Sequence, residues 1–230
     1  MGRFAAVGGG TYEEMDVLTR RIADLSGKER PNVLFVGTAL QDSTNPLTSC
    51  RKSFKRVCPG CIVKKLSIIR TVYTDAEIDA LLSWADVIFV GGGNTAFLLD
   101  AWRARGLDRK LKAVFDSDSA VLSGLSAGAI CWFEKGYTDS ESFEGKEDWS
   151  YAVIEPGINL YPAFFCPHYG DWGRRGFDDR VKETGLPGIA LEDGTMMVYD
   201  RGQVSFYRAD ARRQAYLFTS EGPDFKKSVW

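Results

Sequence analysis

The chain has 230 residues, 44% apolar and 26% charged, which is enough hydrophobic material for one sizeable core and argues against disorder. Its 29 Lys and Arg against 31 Asp and Glu leave a formal net charge of −2, so nucleic acid and anionic membranes are not expected partners. The one histidine, His168, excludes a zinc site built on several imidazoles and carries any imidazole proton transfer alone.

In chain order, Phe4 to Val7 reads as a first strand ending in Gly8-Gly9-Gly10. Thr11-Tyr12-Glu13-Glu14 is a capping box, and Met15, Leu18, Ile22 and Leu25 recur at helical spacing until Gly27. Val33 to Val36 and Ile62 to Ile68 read as the next strands. Thr74-Asp75-Ala76-Glu77 opens a short helix through Ile78, Leu81 and Leu82. Val87 to Val90 is apolar throughout, as a strand buried on both faces should be, and leads through Gly91-Gly92-Gly93-Asn94-Thr95 into a helix with Phe97, Leu98 and Trp102. Ala120 to Leu125 reads as a fifth strand, with helix expected from Ala127 onward. Glu134 to Ser150 is polar and reads as a loop or excursion. Beyond Pro187, Thr195 to Tyr199, Val204 to Tyr207 and Ala215 to Thr219 look like antiparallel strands closing one edge of the sheet. Alternating strands and helices imply a parallel sheet with crossover helices, in one α/β domain over residues 1–230.

The five cysteines do not suggest a disulfide framework; Cys58-Pro59-Gly60-Cys61 has redox or half-zinc spacing but reads best as a Pro-Gly turn. Apolar runs are too short to span a bilayer and the N-terminus lacks a signal-peptide profile, so a cytoplasmic location is expected.

Gly124-Leu125-Ser126-Ala127-Gly128 fits G-x-S-x-G at a strand-to-helix turn. Such a turn needs small neighbours, lifts the Ser126 hydroxyl over the sheet's carboxyl edge and aims the Ala127 N–H at a developing oxyanion. Serine needs a base, and His168 follows the strand-like Phe164-Phe165-Cys166-Pro167. Glu192, after Ile189-Ala190-Leu191, is a carboxylate at a strand end that could orient the ring; Asp193 is its near competitor, and Glu134 and Glu141 are less well framed. The chain order Ser, His, acid is not that of an α/β-hydrolase. The Gly91 to Thr95 turn is neither a Walker loop nor G-x-G-x-x-G, and it suits a second oxyanion donor, best at Gly93.

These residues resemble the peptidase E, or aspartyl dipeptidase, family of serine peptidases. The likeness rests on Val90-Gly91-Gly92-Gly93-Asn94-Thr95, Gly124-Leu125-Ser126-Ala127-Gly128-Ala129, Cys166-Pro167-His168-Tyr169 and Gly188 to Gly194, all in the family's order. The resemblance implies an α/β fold with the flavodoxin-like, mostly parallel sheet of class I glutamine amidotransferases, helices on both faces and antiparallel strands near the C-terminus. It places a Ser-His-Glu triad on Ser126, His168 and Glu192 and oxyanion donors on Gly93 and Ala127, with Asn94 and Thr95 lining the substrate site. No metal or organic cofactor is required. The partner is a small peptide, with a homodimer a further option. Asp-Xaa specificity needs an arginine after the histidine; Arg174, Arg175 and Arg180 are the candidates, against a reading as a solvated helix face. The alternatives are a same-fold hydrolase of another amide or ester, and a non-catalytic amidotransferase-like binding module.

Overall fold

Two capping boxes start helices where the sequence places them: the Thr11 hydroxyl accepts the Glu14 N–H and the Thr74 hydroxyl the Glu77 N–H, each glutamate reaching back to the threonine N–H. The computed structural model describes residues 2–71, 73–144, 150–155, 157–171, 174, 176–221 and 224–230. In chain order the elements are β1 (Arg3–Val7), α1 (Tyr12–Leu25), β2 (Asn32–Val36), α2 (Thr44–Val57), β3 (Ile62–Leu66), α3 (Asp75–Trp84) and β4 (Val87–Val90). Then come α4 (Thr95–Arg105), α5 (Leu107–Asp116), β5 (Val121–Leu125), α6 (Ala127–Ile130), β6 (Phe133–Thr138), β7 (Ala152–Ile154) and β8 (Tyr161–Cys166). The chain ends with α7 (Phe177–Thr184), β9 (Gly188–Leu191), β10 (Thr195–Asp200), β11 (Gln203–Arg208), β12 (Ala215–Glu221) and β13 (Asp224–Val229).

The main sheet has the order β11-β10-β1-β5-β4-β2-β3. Its β1, β5, β4, β2 and β3 run parallel, and β10 and β11 add antiparallel strands beside β1. Successive side chains of a strand face opposite ways. Phe4, Leu34, Val36, Ile88 and Val90 therefore enter one core with Leu98, Trp102 and Leu111 from α4 and α5. Ala5, Val33, Phe35, Val87 and Phe89 enter a second core beneath α1 and α2, which supply Leu18, Ile22 and Phe54. Helices thus cover both faces of a mostly parallel sheet. All the parallel strands point their carboxyl ends to one rim, where open α/β sheets bind ligands.

Several expectations change. The helix after Ser126 is a single turn, Ala127–Ile130. The polar stretch after residue 133 begins with a strand, β6, and continues as a short 3-10 segment, Ser140–Glu144; residues 145–149 lie outside the described residues. A second sheet, β13-β12-β9-β8-β6-β7, takes up Ala215 to Thr219, which therefore does not extend the edge formed by β10 and β11. It packs on the first core through Phe133 and Phe165, whose rings stack 4.3 Å apart, and builds a third core from Tyr137, Phe164, Phe177 and Phe218. Cys58 and Cys61 close a turn in which the Cys61 N–H donates to the Cys58 carbonyl at 3.1 Å, and both thiols are buried and unbridged. Among the described residues no helix is long and apolar enough to cross a membrane.

Candidate active site

Ser126 is held at φ 55° and ψ −116°, outside the regions an L-residue normally occupies, a conformation costing about 1–3 kcal/mol. Its neighbours explain how that is sustained. A side chain on Gly124 would collide with the Gly128 carbonyl, and one on Gly128 with the Val90 carbonyl, so β5, the turn and α6 approach as only glycine allows. The Ser126 carbonyl accepts the Ala129 and Ile130 N–H groups at 2.8 and 2.9 Å, which fixes the turn to α6.

His168 follows β8 and is also left-handed, at φ 51°. Its ring meets a carboxylate: Nδ1 lies 2.6 Å from Asp193 Oδ1. The ring's hydrogen bond is the largest influence on Asp193, and it holds that carboxyl below the ordinary range although burial opposes it. An ionised Asp193 favours the tautomer with the proton on Nδ1, leaving the Nε2 lone pair free. Glu192, the carboxylate that the family resemblance puts behind the ring, is turned elsewhere. Its Oε2 accepts the Gln214 N–H at 3.0 Å and its Oε1 the Tyr216 hydroxyl at 3.1 Å.

Three consecutive carbonyls at the end of β1 gather these segments. Val7 accepts the Ser126 N–H at 3.1 Å, Gly8 the His168 N–H at 3.2 Å and Gly9 the Gly194 N–H at 2.9 Å. Elbow, histidine turn and acid turn are thereby tied to one peptide stretch with a Cα spacing of about 3.8 Å. A side chain on Gly9 would strike both Asp193 and the His168 ring, which accounts for a glycine there.

The Gly91 to Thr95 turn flanks the other side of the elbow. A Cβ on Gly92 would sit 3.2 Å from Ser126 Cβ, and Gly93 takes φ 135° directly beneath the Ala39 carbonyl. Neither the Gly93 nor the Ala127 N–H meets a protein acceptor among the described residues. Asn94 and Thr95 are engaged in architecture: Asn94 Oδ1 caps α4 by accepting the Phe97 N–H at 3.0 Å, and Thr95 is buried. Ser140, absent from the sequence reading, grips this turn. Its hydroxyl accepts the Thr95 and Ala96 N–H groups at 3.0 and 3.1 Å, and its carbonyl accepts from Asn94 Nδ2 at 3.3 Å.

Of the three arginines, Arg174 is buried, donating to the Tyr137 carbonyl at 2.5 Å, pairing with Asp139 at 3.4 Å and lying over the Tyr151 ring. Arg180 is exposed on α7 and pairs with Glu183, while Arg175 lies outside the described residues. Among the described residues no group of three or more His, Cys, Asp or Glu side chains is placed to hold a metal.

The chain belongs to Peptidase family S51, whose sequence profile matches residues 4–207. It is 32% identical over 210 residues to a Bacillus subtilis (strain 168) protein named "Uncharacterized peptidase YgaJ", covering 89% of this chain and 86% of that one. Its fold is similar to that of a putative peptidase E protein from Listeria monocytogenes EGD-e, with TM-score 0.68, 18% identity, and 90% of this chain and 98% of that one covered. It is similar as well to a peptidase from an acI-B1 actinobacterium, with TM-score 0.69, 20% identity and coverage of 99% and 94%.

Proposed function

We propose that the protein is a serine peptidase acting on short peptides. Ser126 Oγ attacks the scissile carbonyl while His168 Nε2 takes its proton, and the N–H groups of Gly93 and Ala127 receive the oxyanion. His168 then protonates the leaving amine, and water, activated by the same nitrogen, releases the acyl group from Ser126. The carboxylate orienting the ring is Asp193, with Glu192 the competing candidate from the same turn. One observation carries this reading: the strained serine elbow and a carboxylate-bound histidine are hydrogen-bonded to the adjacent carbonyls of Val7 and Gly8, at the end of β1 and just beyond it.

Fluorophosphonate labelling with a dipeptide assay tests it. The wild-type protein should be labelled on one serine, and Ser126→Ala should lose both labelling and at least about 10³-fold in kcat. Turnover undiminished in Ser126→Ala would remove the assignment, and failure of the wild type to label or turn over any peptide would favour a binding module. The narrower form of the proposal is Asp-Xaa specificity, with the buried Arg174 as the candidate cation. A preference for neutral over Asp-Xaa and Glu-Xaa dipeptides would reject that form while leaving the serine chemistry intact.

A further inference from the structure

A cleft of about 350 Å³ opens beside the elbow, between the start of α1, the middle of α2 and the sheet rim, with Gly91, Gly92 and Leu125 in its wall. Leu125 precedes Ser126 in the chain, and Gly92 packs against the Ser126 side chain, so the cleft adjoins the proposed nucleophile. Its floor and sides are Met15, Phe35, Cys50, Phe54, Phe89 and Leu125. Arg56, Ser53 and Thr19 at its α1–α2 side are linked to one another and to Asp16. Arg56 grips Asp16 through Nε and Nη2 at 2.6 and 2.7 Å, and Ser53 Oγ donates to Asp16 at 2.6 Å and lies 3.1 Å from Thr19 Oγ1. Arg56 is the charged side chain in the lining and Asp16 binds its guanidinium, while Tyr12 stands at the rim 70% exposed. A volume at the small end of ligand pockets suits one or two side chains rather than a long polymer.

We propose that this cleft is a specificity pocket for an apolar side chain of the peptide substrate, a branched aliphatic or aromatic residue flanking the scissile bond. The proposal rests on the serine-peptidase reading for its placement. The occupant follows from the lining: an acidic side chain would meet only Arg56, whose guanidinium Asp16 already binds, whereas Leu or Phe buries its surface against aromatic and thioether walls. Burying one such side chain is worth about 10- to 100-fold in kcat/KM over alanine.

Two dipeptide series, Asp-Xaa and Xaa-Ala with Xaa as Ala, Leu, Phe or Asp, are compared in the wild type and in Ser49→Phe and Ser49→Leu. These substitutions fill the cleft from a half-buried position on α2, and their folding is checked by near-UV circular dichroism. In at least one series the wild type should favour Leu or Phe over Ala by about 10-fold or more, and both filled variants should bring that ratio close to one. A flat or acidic preference at both positions, or a ratio unchanged in the folded variants, overturns the pocket. The Ser126→Ala protein titrated with the same peptides separates the two readings. Tighter binding of Leu and Phe peptides, lost when Ser49→Phe is added, upholds the pocket even if no peptide is cleaved; equal binding of all four rejects it.

Discussion

The His168 Nδ1 can bond one carboxylate at a time, and two adjacent acids compete for it. Asp193→Asn preserves the shape and removes the negative charge that stabilises an imidazolium, so kcat should fall by about 10²- to 10⁴-fold with KM little altered. Glu192→Gln should cost under about 10-fold, since Glu192 serves Gln214 and Tyr216; steady-state kinetics of both variants decide, and the reverse ranking would return Glu192 to the orienting role. The sequence shows both carboxylates at a strand end but not which one faces the ring. Side chains alternate along extended backbone, and the Glu192 N–H continues the ladder by donating to the Gln214 carbonyl at 3.2 Å. That register, set by β12 more than twenty residues on, sends Glu192 to the β12 side and Asp193 to the histidine. Ser126 was legible for the opposite reason: its strain is met by Gly124 and Gly128, both within two residues.

Among elements, α4 is the one whose start shapes the proposed oxyanion site, and it is clamped by Ser140, the first residue of the 3-10 segment after β6. Ser140 is buried, and its loss leaves the Thr95 and Ala96 N–H groups without their acceptor. Ser140→Ala should therefore lower stability by about 1–3 kcal/mol. It should also reduce kcat by about 10-fold, because Gly93 precedes the loosened cap by one residue. Thermal melts and kinetics, with Ser140→Thr restoring both, are the check; destabilisation with unaltered kcat would confine Ser140 to architecture. Elements with local signals were legible: the capping boxes of α1 and α3 close within four residues, and β4 is apolar throughout. Those that depend on distant partners were not. In β6, Glu134 and Lys135 interrupt the apolar pattern, and what makes it a strand is pairing with β7 and β8. The second sheet likewise arises from pairings such as β9 with β12 that no window of sequence contains.

At the scale of the whole molecule, the two rims of the main sheet do different work. The carboxyl rim carries Ser126, Gly93 and His168, while the amino rim is fastened by Asp118. Its Oδ1 accepts from Arg3 Nε at 2.7 Å, at the start of β1, and its Oδ2 from Arg201 Nε at 2.7 Å, in the turn between β10 and β11. Burial pushes the Asp118 carboxyl up, but the hydrogen bonds and charges of Arg3 and Arg201 outweigh it and hold the carboxyl below its ordinary value. A depressed folded pKa means that the unfolded chain takes up the proton first as pH falls. The contribution is therefore complete above the ordinary aspartate value of about 3.9 and disappears as pH drops through the lower folded value. Asp118→Asn should cost about 1–2 kcal/mol near pH 7, reduced from a fully buried pair because Arg201 is half exposed, and the gap to wild type should close in acid. Denaturant unfolding of both proteins from pH 7 down to pH 3 measures the gap, and kcat/KM at neutral pH should be the same for both. A gap independent of pH would show that the lost contact is not electrostatic. A fall in kcat/KM in the folded variant would show instead that the amino rim reaches the elbow through β1, whose two ends bond Asp118 and Ser126.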